Sequence, residues 1–478
     1  MGQEIHQQHF SEKDMAEFQK RLRDETKILK SWFDKDIFSK NSPMTGIELE
    51  AWLVDNDMLP DPVGEEFLKS LNDKQVVPEI SRFNFEINSD PYDMTGKVLS
   101  TLQSELNTIW KKCENHAKDM NSNALMMGTL ATLRPNMLSL EYLSPNNRYS
   151  VMNQQVMNFR HGKPMKIKLE GKDELELEMD SVIAECAATS LQIHMGVTQE
   201  NAKRYYNASV ISSAFVTALS ANSPYFFGKE LWDESRIMTF EQAVEMNSYR
   251  GKGGKNITRV TLGNDYVHNS MLELFLENLD GYPVLLPEVH EGPAEDLSHL
   301  QLHNGTIWRW TRPIIGIEKN GNHHLRIEQR TPSAGPTVHD SIANTAFFLG
   351  LCDYLATLET PPEDQLSFED NRDNFYKAAK QSLYCRVKWT DGKLHDINEL
   401  ITNKLLPGVK QCLEKRGFDK EDLEFYIDHI IGGRLKKGIN GARWQKAWIH
   451  SHGKRFQELM EVYLKNQASG TPVHEWKI

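Results

Sequence analysis

The sequence predicts an α+β protein: an antiparallel sheet with helices packed on its apolar face, followed by a helical C-terminal region. Three observations carry this. Several short segments alternate apolar and polar residues at the strand period of two. The Asn-Gly pair in "KNGN" (319 to 322) stands between two such runs, "PIIGIE" and "HHLRIEQR", and marks them as the arms of an antiparallel hairpin. Longer segments follow the helical period, and beyond "ETPPEDQ" (359 to 365) they are all that remains.

In chain order, residues 11 to 40 read as a helix whose apolar stripe is Phe18, Leu22, Ile28, Leu29, Trp32 and Phe33. Strands follow near 46 to 55 and 82 to 88, then a helix from about 95 to 120. "VISSAFVTALSA" (210 to 221) and "PTVHDSIANTAFFLGLCDYLATL" (336 to 358) read as buried helices, the second with Thr337 as its N-cap after Pro336. The Pro- and acid-rich segment at 359 to 365 sets the boundary between an N-terminal domain, 1 to 360, and a helical region, 361 to 478.

Composition narrows the function. The 478 residues are 39% hydrophobic and 26% charged, as in ordinary globular proteins. A net charge of −12 without a long basic patch argues against nucleic acid. No run of about 18 apolar residues predicts a membrane span. The N-terminus "MGQEIHQQHF" lacks an apolar signal core, and His6 stands where a myristoylation signal wants Ser or Thr. Five widely spaced cysteines form no metal or disulfide pattern, which points to a reducing cytoplasm and to buried, inert thiols.

The polar faces of the strands carry the chemistry. "GIELEAWLV" (46 to 54) puts Glu48 and Glu50 on one face, and "RFNFEINS" (82 to 89) puts Glu86 opposite Phe83, Phe85 and Ile87. "SLQIHMGV" (190 to 197) presents Gln192 and His194, and "HLRIEQR" (324 to 330) presents Arg326, Glu328 and Arg330. Taken one at a time these are wet faces of a half-buried sheet. If all belong to one sheet, the carboxylates converge and repel by several kcal/mol unless a cation neutralises them. Carboxylates with one imidazole suit Mg2+ or Mn2+.

The blocks "GIELEAWLV", "EISRFNFEIN", "LQIHMGV" and "HNGTIWRWTRPIIGIE…HHLRIEQRTPSAGPTV" resemble, in the same order, those of the glutamate–cysteine ligase family in the branch shared with bacterial carboxylate-amine ligases. The resemblance covers about residues 40 to 360. It implies a glutamine-synthetase-like curved antiparallel sheet, ATP and divalent ions bound over it, and small-molecule substrates: glutamate and an amine such as cysteine. The matching positions are Glu48, Glu50, Glu79, Glu86, His194 and Glu328 for metal, Glu328 and Arg330 for catalysis, and Arg326 and Arg312 for the nucleotide. The implied reaction phosphorylates the carboxylate and lets the amine displace phosphate, which asks the protein for positioning and charge neutralisation. Leu49 and Asn88 leave the amine unread, and the oligomeric state, a homodimer included, stays open.

Other motifs carry less. "RGKGGK" (250 to 255) lacks P-loop spacing and reads more simply as a surface loop. The histidines of "NHH" point to opposite faces. Trp308 and Trp310, placed on one strand face, fill core more readily than they stack on adenine. Arg434, Lys436, Lys437 and Arg443 could reach an acidic substrate, although a solvated helix and loop explain them as well. A nucleotide- and metal-binding regulator without ligation, a ligase for another amine, and a guanidino kinase on a related sheet are the competing functions.

Overall fold

The computed structural model describes residues 4–41, 43–246, 258–318 and 321–478. Its centre is an eight-stranded antiparallel sheet. The strands are β1 (Met44–Val54), β2 (Val76–Pro78), β3 (Asn84–Asn88), β4 (Tyr92–Asp93), β5 (Asn123–Leu125), β6 (Leu191–Val197), β7 (Thr311–Ile317) and β8 (His323–Gln329). They run in the order β7-β8-β6-β1-β3-β2, with β4 and β5 also pairing β1. The four strand segments whose polar faces carry Glu48 and Glu50, Glu86, His194, and Glu328 therefore share one sheet.

Alternation decides what each face meets. Ile47, Leu49, Ala51 and Leu53 of β1 are almost fully buried, as are Phe85 and Ile87 of β3, Leu191 and Ile193 of β6, and Leu325 and Ile327 of β8. Each such side chain contributes about 1.5–3 kcal/mol by leaving water, which fixes the register because a one-residue slip would expose the whole row. Two helices, Ala202–Ser220 and Val338–Thr357, lie behind the sheet and against each other. Both are buried on every side along most of their length, as helices enclosed by the rest of the molecule. Thr337 caps the second as expected, its side-chain oxygen accepting from the Asp340 N–H at 3.1 Å.

The observed boundaries refine the sequence reading. The N-terminal helix spans Glu12–Lys35, and the next long one Val98–Asp119. The strand expected from residue 82 begins at Asn84, because Ser81 to Phe83 turn away and the Phe83 ring stacks on Trp52 at 5.6 Å. β7 and β8 pair as a hairpin, Thr311 opposite Gln329 and Ile317 opposite His323, while residues 319–320 of the turn lie outside the described residues. "RGKGGK" also lies outside them. A hairpin of Met165–Glu170 with Glu174–Met179 was not expected. A second hairpin, Arg386–Lys388 with Leu394–Asp396, interrupts the otherwise helical C-terminal region.

That region is tied tightly to the rest. Buried Arg434 donates to Asp340 Oδ1 at 2.8 Å, Asn344 Oδ1 at 2.6 Å and the Leu219 carbonyl at 3.2 Å, joining it to both helices behind the sheet. Arg434 thus faces the core rather than a substrate, because buried Asp340 pairs with its charge there. Arg443 pairs with Asp233 at 2.7 Å and Lys437 donates to the His474 carbonyl, so neither reaches the sheet's polar face. No helix of the described residues is long and apolar enough to cross a membrane.

Candidate active site

The polar face of the sheet forms the floor of a cavity of about 320 Å3 lined by six glutamates and four arginines. Cross-strand register explains the convergence. Glu50 stands opposite Glu86, Glu48 opposite both Asn88 and Gln192, and Glu328 opposite both His194 and Arg312. Residues directly opposite each other in a sheet share a face, with Cβ atoms roughly 4.5–5.5 Å apart. The polar half of each alternating strand is thereby gathered into one patch.

Within this patch the six acid and histidine residues sort into two triads. Glu48, His194 and Glu328 bring ligand atoms within 4.8 Å of one another, and so do Glu50, Glu79 and Glu86. In the first, His194 Nε2 lies 2.9 Å from Glu48 Oε1 and 3.9 Å from Glu328 Oε1. Glu79 joins the second from the segment just after β2 rather than from a strand. Every residue expected at a metal site thus faces this cavity or adjoins a residue that does.

The electrostatics of the two triads differ. Burial pushes the Glu48 carboxyl up, but the adjacent His194 outweighs it and holds the group at about 2. Glu328 is also buried, yet Arg312 and Arg330 keep it well below the ordinary range. Arg312 forks onto it with two bonds of 2.8 Å, and Arg330 adds a third at 3.0 Å. In the second triad burial dominates and the like charges add to it. Glu86 rises to about 8, Glu79 rises well above its usual value and Glu50 rises despite Arg330 and Ser190.

The residues fit a divalent cation and an anionic ligand. Three buried carboxylates, two of them raised further by neighbouring acids, make a site whose repulsion a hard cation would cancel. His194 Nδ1, Arg326 Nε and Arg330 Nε are buried without hydrogen-bond partners among the described residues. Two unmatched guanidinium donors in an acid-lined cavity suit phosphate or carboxylate oxygens. Arg312, by contrast, directs its fork at Glu328, so it orients that carboxylate.

Four further residues belong here. Gln192 donates to Glu50 at 2.8 Å and accepts from Arg330, linking the second triad to the arginines. Glu185, from a short helical turn, lines the cavity with its carboxyl raised to about 8 by burial and by Glu50. Arg148 and Tyr149 come from the helix Asn147–Phe159 and form part of the wall. Gln192 shares the polar face of His194, so alternation does point to it, whereas Glu185 shows in sequence only as a lone acid in the apolar run "SVIAECAA".

The tryptophans separate. Both precede β7, so they are not a strand pair; Trp310 is core, its indole donating to Glu241 at 2.8 Å, whereas half-buried Trp308 lines the cavity. His323 stacks on Trp32 at 4.0 Å and His324 lies beside Arg326, on opposite faces as expected. All five cysteines are free, and burial raises the thiol of each.

The sequence model of glutamate-cysteine ligase family 2 matches residues 44–461. The chain belongs to this family. Membership makes it a carboxylate–amine ligase acting on small molecules, and the match extends through most of the C-terminal region, beyond the 40 to 360 span of the motif resemblance. Among solved structures, glutamate–cysteine ligase from Francisella tularensis in complex with AMP superposes with a TM-score of 0.53, at 11% identity, over 90% of each chain. This likeness extends the family assignment to the fold, the glutamine-synthetase-like curved sheet. A bifunctional glutathione synthetase from Pasteurella multocida aligns with 94% of this chain and 55% of its own, at 11% identity and a TM-score of 0.49. No curated protein sequence matches the chain.

Proposed function

We propose that this protein is an ATP- and Mg2+-dependent ligase of the glutamate–cysteine type, joining the γ-carboxyl of glutamate to an amine such as cysteine. The single observation that supports this best is the pair of ligand triads on one cavity floor beside guanidinium groups with unmatched donors. A carboxylate is a poor acyl donor. Transfer of the γ-phosphoryl group of ATP to its oxygen gives an acyl phosphate, and attack by the amine forms the amide and releases phosphate. No covalent bond to the protein is needed.

The chain's own residues supply positioning and charge. Glu48, His194 and Glu328 would hold one ion and Glu50, Glu79 and Glu86 another, with Mn2+ also acceptable to a set containing an imidazole. Such ions would screen phosphate charge during the transfer. Arg330 would face the transferring phosphoryl group, and Arg326 would bind the nucleotide's phosphates. Arg312 fixes Glu328 between them. These residues all fall within the proposed catalytic domain, 1 to 360, and the helical region, 361 to 478, supports it. Five unpaired cysteines accord with a cytoplasmic setting.

The test is ADP release by the full chain with ATP and Mg2+, with and without glutamate, across a panel of amines that includes cysteine. Glutamate- and amine-dependent ADP matched by an amide of the corresponding mass, and reduced about 100-fold or more in Glu48→Gln, is the expected result. Bound ATP and Mg2+ without turnover on any amine would replace the ligase with a regulator.

A further inference from the structure

A third ligand cluster lies away from the cavity. His429, His474 and Glu475 each offer a ligand atom within 4.8 Å of the other two, and none of them lines the acid-rich cavity. His429 sits on Glu424–Ile431, where the helix widens to π-helical winding. Such widened turns are uncommon and recur at functional positions. His474 and Glu475 come from the C-terminal turn Val473–Glu475, which crosses beside it.

We propose that His429, His474 and Glu475 bind a zinc-class divalent ion where the C-terminal tail packs against the helical region. The distances suit it. Glu475 Oε1 lies 2.9 Å from His429 Nε2 and 3.6 Å from His474 Nε2. Ligands at roughly 2.0–2.1 Å in a tetrahedron stand about 3.3–3.4 Å apart, between the two observed values. Two imidazoles and one carboxylate favour Zn2+ over Mg2+, which prefers an all-oxygen shell. The fourth position would be taken by water, since His429 and Glu475 are partly exposed while His474 is buried.

Two features show a place prepared for the ring of His474. A Cβ on Gly433 would come within 2.5 Å of it, so glycine at this position leaves the space the imidazole occupies. Nε2, the ring nitrogen on the Glu475 side, faces that carboxylate at ion-pair distance rather than hydrogen-bond distance. The surrounding tail is already fixed. Val473 N–H donates to the Asp340 carboxylate, Lys437 to the His474 carbonyl at 2.7 Å, and Trp476 packs edge-on against Trp444 at 4.9 Å. A metal arriving here orders little more chain, which favours tight binding.

Titration of the full chain with Zn2+ in saturating Mg2+ tests this, with His429→Ala, Glu475→Gln and the cavity variant Glu48→Gln compared. The expected result is one equivalent of Zn2+ bound by the wild type and by Glu48→Gln. In His429→Ala it should bind at least about 100-fold more weakly, beyond the loss expected from an outer-shell partner alone. Zn2+ should raise the melting temperature of the wild type and not of His429→Ala. Equal Zn2+ binding by the wild type and His429→Ala, or loss only in Glu48→Gln, overturns the proposal. His429 is half-exposed and its variant should melt normally without metal; if it does not, Glu475→Gln carries the same comparison.

Discussion

Residues of the cavity floor are costly to bury, and their neighbours decide how costly: Arg312 and Arg330 hold Glu328 charged, whereas Glu48 and Glu50 add to the cost of burying Glu86. Its raised carboxyl takes up a proton more readily in the folded chain than in the unfolded one, so the metal-free fold loses stability as pH rises from 4.5 toward about 8. Glu86→Gln removes that penalty. It is predicted to raise metal-free stability at alkaline pH by on the order of 1–3 kcal/mol in urea melts, while abolishing Mg2+-dependent turnover. For the same reason Mg2+ should displace protons, and its thermal stabilisation should grow across this pH window; a flat response would remove Glu86 from the ligand set. The convergence of Glu48, Glu50, Glu86, His194 and Glu328 on one face was legible because alternation assigns a face to every strand residue. Arg148 and Tyr149 were not, since a helix that contributes two wall residues at one end leaves no periodic mark.

At the level of elements, the strands that carry the cavity floor were legible from their alternation. The hairpin at 165 to 179 was missed although "MKIKLE" and "ELELEM" alternate cleanly, and "TDGK" (390 to 393) holds the Asp-Gly turn of the second hairpin, with Gly392 at a φ of +74°. Close approaches between strands also matter. A Cβ on Gly316 would meet the His324 ring at 2.4 Å and Arg326 Nη1 at 3.0 Å. Gly316→Ala is therefore predicted to push both aside, raising the KM for ATP several-fold with little change in melting temperature. An unchanged KM would show that Arg326 does not contact the nucleotide.

The whole molecule depends on contacts that cross residue 360. A boundary read from composition marks where the chain changes pattern, and it carries no information on ion pairs that form across it. Arg434 and Asp340 are both buried, and removing one partner leaves the other charge without compensation. Arg434→Ala should cost about 3–5 kcal/mol, and the chain should unfold in one urea transition by far-ultraviolet circular dichroism and by tryptophan fluorescence alike. Two separated transitions would make 361 to 478 an independent folding unit. In the proposed reaction the cavity activates a carboxylate by phosphorylating it. The most direct measurement uses glutamate carrying 18O in its γ-carboxyl, with ATP, Mg2+ and the amine that supports turnover, and weighs the phosphate released. One 18O atom per phosphate is the predicted result, and phosphate without label would contradict the account.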